Sequence, residues 1–358
     1  MKNSVIEDDL KFISSTDLPW ETFANKTVLV TGANGFLPSY MVETLIYLSE
    51  KKGISVNIIG LVRNIEKAKK RFAKYLHLPY FRLKVQDVCA PLDHEGRVEY
   101  IIHAASLATP KFFSNYPIET ILPNTTGTAN MLEFAAHSRC EGFLFFSTTG
   151  VYGFNEPKKY PLKEDCFGEL DPMSLASVYV ESKRMGENMC VAWMKQKGVP
   201  VKIVRPAITY GPGILLDDGR SFADFIAAIL NRKDIELYSD GRAIRNFCYI
   251  ADAIVGFFTV MLKGQVGEAY NVATDHEISI IDLANLLVQK VFPERNLKVV
   301  MKSDNKKEFL RMNFPRTTVD ITKARKLGWK LSFSIEEGFR RTVKSFEETS
   351  VPNYEVTL

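Results

Sequence analysis

The sequence predicts an α/β protein, a doubly wound parallel sheet with a smaller, discontinuous C-terminal lobe. Three observations carry this. Short apolar runs of strand length alternate with helical patterns through the first half of the chain. The first strand–helix junction is a glycine-bearing turn, Thr31-Gly32-Ala33-Asn34-Gly35-Phe36-Leu37-Pro38. Small or hydroxyl-bearing residues follow the later strands, at the edge where such sheets take their ligands.

Residues 1–25 read as an appended helix and loop, with Leu10, Phe12, Ile13, Leu18, Trp20 and Phe23 available to pack on the body as a stabilising or oligomer-contacting arm. Val28, Leu29 and Val30 open the first buried strand. After the glycine turn comes an amphipathic helix with Leu37, Met41, Leu45 and Leu48 on one face. Strand, turn and helix in this order begin a dinucleotide-binding unit, in which the helix N-terminus offers unpaired N–H groups and a positive dipole end to a pyrophosphate. Gly32 allows the sharp turn and Gly35 the close approach, with Asn34, Phe36 and Leu37 completing the cradle. The third small position is Pro38, tolerated in a first helical turn where no N–H is needed. Alone, the turn reads equally well as any tight strand–helix connection.

Val56–Val62 is the second buried strand. An acidic residue at its end would bind a ribose 2′-OH and a basic one a 2′-phosphate. The residues present, Arg63-Asn64, lean towards NADP over NAD, a surface arginine being the alternative. A third strand over Phe81–Val85 ends in Asp87-Val88, and a fourth over 101–105 carries His103-Ala104-Ala105, whose small residues let a cofactor lie on the backbone. His103 is a catalytic candidate or a histidine held by a local hydrogen bond. A helix over 124–138 precedes the fifth strand, 143–146, which ends in Ser147-Thr148-Thr149. Asp171-Pro172 can start the next helix. On it Tyr179 and Lys183 stand four residues apart, hence on one face. A phenol of ordinary pKa near 10 is a poor base at neutral pH, and a neighbouring ammonium and a cationic nicotinamide would favour its phenolate. Thr148 would orient the substrate alcohol. Tyr-x-x-x-Lys by itself occurs by chance on exposed helices.

A sixth strand over 201–204 runs into Arg205-Pro206 and the Gly/Pro-rich loop Tyr210-Gly211-Pro212-Gly213. The chain thus divides into an extension (1–25), a nucleotide domain (26–205, rejoined by 242–272) and a substrate lobe (206–241 and 273–358). In the lobe, Arg220, Arg245, Arg311 and Arg316 are candidates to grip an anionic group bidentately or to form surface salt bridges.

Composition narrows the partners. With 46 basic and 42 acidic residues the net charge of +4 is too small to argue for nucleic acid. The lysine-rich run 67–74 reads as a solvated helix face. Five scattered cysteines without a CxxC pair point to a reducing, cytoplasmic setting with neither a disulfide framework nor a metal site. No apolar run reaches membrane-spanning length, and the N-terminus is not of signal-peptide type.

The combination resembles the extended short-chain dehydrogenase/reductases, specifically the NAD-dependent nucleotide-sugar epimerases, dehydratases and decarboxylases. The matching residues are the turn 31–36, Asp87-Val88, His103-Ala104-Ala105, Asn124 with Gly127-Thr128, Ser147-Thr148 before Val151-Tyr152-Gly153, and Tyr179 with Lys183. They continue through Arg205-Pro206, Tyr210-Gly211-Pro212, Arg245-Asn246-Phe247 to Asp252, Tyr270-Asn271-Val272 and Leu327-Gly328-Trp329. Residues 179–198 look closest to the UDP-glucuronate decarboxylases. The resemblance implies a Rossmann fold, a homodimer and a nucleotide-diphosphate-sugar substrate. In it Tyr179, helped by Lys183 and Thr148, takes the proton of a sugar hydroxyl as hydride passes to NAD or NADP. Cofactor contacts are expected from the turn, Arg63, Asp87 (which the resemblance puts at adenine), Val88, His103, Ala104, Ala105, Asn124, Ser147, Tyr179, Lys183, Arg205 and Pro206, and substrate contacts from Thr148, Thr149, Arg220, Arg245 (which the resemblance puts at the diphosphate) and Arg316.

Three departures bear on the reaction. Related decarboxylases carry a glutamate where this chain has Gly150, and 4,6-dehydratases an Asp-Glu pair where it has Thr149-Gly150. Ile208 replaces an asparagine that contacts the substrate phosphate in many relatives. A 4-epimerase needs only hydride transfer, the tyrosine base and room for the keto-sugar to turn, so 4-epimerisation is the expected reaction. Decarboxylation, 4,6-dehydration, NADPH-dependent reduction of a 4-keto sugar and a non-catalytic nucleotide-binding role are the alternatives.

Overall fold

A computed structural model of the 358-residue chain describes residues 3–217, 219–302 and 314–349. After α1 (Ser4–Ser14) the chain enters β1 (Lys26–Thr31), α2 (Phe36–Lys51), β2 (Val56–Val62), α3 (Ile65–Arg71), β3 (Phe81–Val85) and β4 (Tyr100–His103). Three helices follow, α4 (Pro110–Asn115), α5 (Pro117–Asn124) and α6 (Thr126–Ser138), then β5 (Gly142–Phe146), α7 (Val178–Lys197) and β6 (Val201–Pro206). The second half contains β7 (Ile208–Tyr210), α8 (Ser221–Leu230), β8 (Ile235–Leu237), β9 (Ile244–Tyr249), α9 (Ile250–Lys263), β10 (Ala269–Val272), β11 (Glu277–Ser279), α10 (Ile280–Leu286), β12 (Val299–Met301), α11 (Thr322–Arg325) and α12 (Ile335–Thr349).

Seven parallel strands form the central sheet in the order β10-β6-β5-β4-β1-β2-β3. Its inner strands are apolar on both faces, and β5 is buried along its whole length, because helices cover both sides. One layer joins α2, α9 and α12, and the other packs Met131, Leu132 and Cys190 from α6 and α7 on Phe143, Phe145 and Ile203. The strand order reverses between β1 and β4, which places the ligand crevice at their C-terminal ends. The remaining strands form a three-stranded sheet, β11-β9-β7, and the pair β12-β8.

Three features differ from the sequence expectation. The helix foreseen over 124–138 is α6, beginning at Thr126, but two further helices that were not foreseen, α4 and α5, stand before it. The helix carrying Tyr179 begins at Val178, not at Asp171-Pro172, where Asp171 instead closes a local turn by accepting from the Met173 N–H at 2.9 Å. Nor does α2 bury a single face: Tyr40, Met41, Val42, Thr44, Leu45, Ile46 and Leu48 are all sealed. The reason is the N-terminal arm. Asp9 of α1, fully buried, accepts hydrogen bonds from Tyr40 (3.2 Å), Tyr249 (2.7 Å) and Arg341 (2.7 Å), so one carboxylate ties the arm to α2, β9 and α12.

Candidate active site

The crevice is organised by a chain of hydroxyl and imidazole groups. Thr31 Oγ1, at the end of β1, accepts from the Ala104 and Ala105 N–H groups, both at 3.1 Å, and lies 2.9 Å from His103 Nδ1. His103 Nε2 lies 3.1 Å from Thr128 Oγ1, whose own proton goes to the Asn124 carbonyl at 2.8 Å. That direction makes Nε2 the donor and Nδ1 the acceptor of a neutral ring. Burial, with Lys183 adding to it, pushes the His103 pKa down to about 3.

At the turn, Gly32 has φ +64°, and a Cβ there would come 2.9 Å from the Ala105 Cα. Gly35 is the N-cap of α2 and supplies no side-chain cap, and among the described residues the Phe36 and Leu37 N–H groups close no hydrogen bond on the protein. The buried hydroxyls of Ser106 and Ser147, after β4 and β5, are likewise without partners, as is Asn124 Oδ1. These unpartnered donors and acceptors fit a dinucleotide, with its pyrophosphate on the turn and polar groups along the strand ends. A cleft of about 520 Å³ runs from the turn; Gly32, Asn34, Gly35, Arg63, Asp87, Val88 and Ala105 line it as foreseen. Asn64, named with Arg63, lines it too, and so do Lys67, Gln86, Ser106, Phe112 and Tyr116, without a motif to announce them. Arg63 and Asp87, both foreseen at the adenosine, face each other at 3.9 Å.

The second part of the site lies at the ends of β5 and α7. Thr148 caps the turn Thr149–Tyr152 by accepting from the Gly150 N–H at 3.1 Å. Its hydroxyl also hydrogen-bonds the Tyr179 phenol. Burial pushes Tyr179 up to about 12, while Thr148 and the Arg220 guanidinium pull in the opposite direction. A cation from outside α7 thus acts on the phenol, Arg220, the residue before α8. Lys183 is buried, donates to the Phe146 carbonyl at 2.6 Å and is pushed down to about 7 by desolvation. The Tyr179 ring stacks on Phe113 of α4, centroids 4.6 Å apart and planes 7° apart. Gly150 stands beside them, and a Cβ there would sit 3.0 Å from Val180 Cγ2.

Several foreseen contacts are not available. Both His103 ring nitrogens are engaged within the protein, so its side chain stiffens the crevice floor and offers nothing to a ligand. Arg205 is committed to Glu187 through Nε (2.9 Å) and Nη2 (2.7 Å), and to the Tyr152 hydroxyl and Glu164 carbonyl through Nη1. It lines a different cavity, with Glu187, Arg184 and Cys166. Pro206 closes β6 and is half-buried, as is Thr149 after β5. Asn124 donates to the Thr120 carbonyl and Ser182 Oγ, tying α5 to α7. In the lobe, Arg316 is neutralised by Glu277. Arg245 donates to two carbonyls, Ile244 and Phe314. Arg311 and residues 350–358 lie outside the described residues.

Among the described residues no cluster of three His, Cys, Asp or Glu is placed to hold a metal ion, and no helix is long and apolar enough to cross a membrane.

Residues 28–273 match the model of the NAD dependent epimerase/dehydratase family. UDP-glucuronic acid decarboxylase 1 of Xenopus tropicalis is 31% identical over 341 residues, covering 95% of this chain and 75% of the relative. The fold is shared with UDP-glucose 4-epimerase from Thermotoga maritima, at TM-score 0.74 and 24% identity over 90% of this chain and 99% of that one. It is also shared with a dTDP-glucose 4,6-dehydratase from Streptomyces venezuelae solved with NAD, at TM-score 0.75 and 24% identity over 90% and 97%.

Proposed function

This chain belongs to the NAD-dependent epimerase/dehydratase family, and from that premise we propose that it is a nucleotide-sugar 4-epimerase. The observation that carries the reading is Gly150 beside an otherwise complete hydride-transfer site. Dehydration and decarboxylation each ask for an acid–base side chain at this position. Here there is none, and Val180 closes on the space its Cβ would need.

In this reading Tyr179 removes the proton of the sugar C4 hydroxyl, which Thr148 holds in line. A bound nicotinamide dinucleotide supplies the hydride acceptor and, after the keto-sugar has turned, the donor. Tyr179 then returns the proton to the opposite configuration. Arg220 favours the phenolate. Lys183, one turn along α7 and lowered to about 7 by burial, stands behind the base on the same helix face. Arg245, whose guanidinium fork is oriented by the Ile244 and Phe314 carbonyls, is the candidate for the diphosphate. The family supports NAD; Arg63, Asn64 and Lys67 at the adenosine end support NADP as well, and the ratio of the two dissociation constants decides between them.

Incubation with UDP-, GDP-, CDP- and dTDP-sugars is expected to interconvert one pair of C4 epimers without net cofactor consumption. Tyr179→Phe should lower the rate by about 10²–10⁴, the usual contribution of a positioned base. A panel that yields no epimer sinks the proposal, and carbon dioxide released from UDP-glucuronate would replace it with the decarboxylase reading, which the identity to the Xenopus relative favours.

A further inference from the structure

We propose that Phe113 is a positioning residue for the Tyr179 base, an inference that rests on the hydride-transfer reading above. The two rings are nearly parallel, 7° apart, with centroids at 4.6 Å, an offset stack. Phe113 reaches that position because α4 starts at Pro110 and winds tightly on Thr109, whose carbonyl accepts from the Phe112 and Phe113 N–H groups at 3.0 and 3.4 Å. The same helix turns Phe112 and the following Tyr116 towards the dinucleotide cleft. One six-residue helix therefore walls the cofactor on one side and braces the base on the other.

A tyrosine side chain has two rotatable bonds, and the Thr148 hydrogen bond fixes only its tip. Phe113 fixes the plane of the ring and covers one face from water. That covering is part of the burial that raises the phenol's pKa, against which Thr148 and Arg220 act; Lys183, one turn along α7, is turned to the Phe146 carbonyl. Without the Phe113 ring the phenol is freer to leave Thr148 and is better hydrated. Its proton should be lost more easily and its orientation should be worse.

The test compares Phe113→Leu with Phe113→Tyr, which keeps the ring. In protein labelled at tyrosine ¹³Cζ and saturated with NAD, the Tyr179 signal is identified by its absence from Tyr179→Phe. In Phe113→Leu that signal is expected to begin titrating at lower pH than in the wild type, while Phe113→Tyr follows the wild type. In epimer assays Phe113→Leu should lose up to about tenfold in kcat, with KM and NAD affinity nearly unchanged, since a slightly misplaced base costs rate and not binding. Identical Tyr179 titration in the wild type and Phe113→Leu overturns the proposal, as does an equal kcat loss in both variants. If the wild type turns over no sugar nucleotide, the 4-epimerase reading fails, and the tyrosine titration still decides the role of Phe113.

Discussion

The Thr31 hydroxyl serves three neighbours at once, and through His103 it fixes the floor of the crevice. A neutral histidine sealed there carries a pH signature. Its pKa is near 3 in the folded protein against an ordinary 6.5 in the unfolded chain. The unfolded state therefore binds the extra proton between those values. The stability His103 confers is complete above pH 6.5 and is lost as pH falls towards 3, by up to about 1.4 kcal/mol per pH unit. Asp9 and Asp252, pushed up to about 6 by burial, work in the other direction over part of that range, so a wild-type curve alone mixes the two. The difference between wild type and His103→Gln isolates the histidine. In urea titrations the variant should be less stable at pH 7, and the gap should narrow at pH 6 and again at pH 5. A gap independent of pH would refute this account. The spacing on which sequence reasoning relied for Tyr179 and Lys183 gave their shared face correctly but not where the lysine's amine points, because the Phe146 carbonyl that captures it belongs to another element.

Among the elements, the strands of the sheet were the most legible. A parallel strand covered on both faces must be apolar nearly throughout, as β2 is, and both β2 and the edge strand β3, which alternates as Phe-Arg-Leu-Lys-Val, coincide with the runs that announced them. The segment between β4 and α6 was not legible, since Pro110, Pro117 and Pro123 punctuate it like a loop, yet two of these prolines start helices. Phe113 has no motif at all; only the folded position of α4 gives it a partner. Nor could the sequence show that Glu277 would neutralise Arg316, or that α1 owes its docking to one acid. Asp9→Ala leaves the Arg341 guanidinium, largely shielded, facing its partners without a counter-charge. Breaking a fully buried pair costs about 3–5 kcal/mol, and the partial exposure of Arg341 lowers the expected loss to about 2–3 kcal/mol. In a denaturant cycle the double variant Asp9→Ala, Arg341→Ala should lose clearly less than the sum of the single losses. Strict additivity would mean that the pair does not couple the arm to α12.

On the scale of the whole molecule, α5 and α7 pack together and present Ile118, Leu122, Met185 and Val191 to solvent, with exposures of 65%, 41%, 52% and 46%. Apolar side chains gathered on two adjoining helices suit a second copy of the same chain. Sedimentation equilibrium is expected to give about twice the 40.6 kDa chain mass, with Met185→Glu shifting the population to monomer; a monomeric wild type rules the dimer out.

The return of β10 to the sheet has a consequence for the order in which the molecule can be assembled. β10 pairs with β6, yet β7, α8, β8, β9 and α9 lie between them in sequence. Until residues 269–272 leave the ribosome, β6 is the terminal strand of the sheet, with Val201, Ile203 and Val204 beside an unpaired row of peptide groups. Such an edge is a template for pairing with another chain. The intervening segment, which includes Arg220 and Arg245, must be made before that edge can be closed. The last strand of the nucleotide sheet is thus also a check that the chain has grown past this part of the substrate lobe.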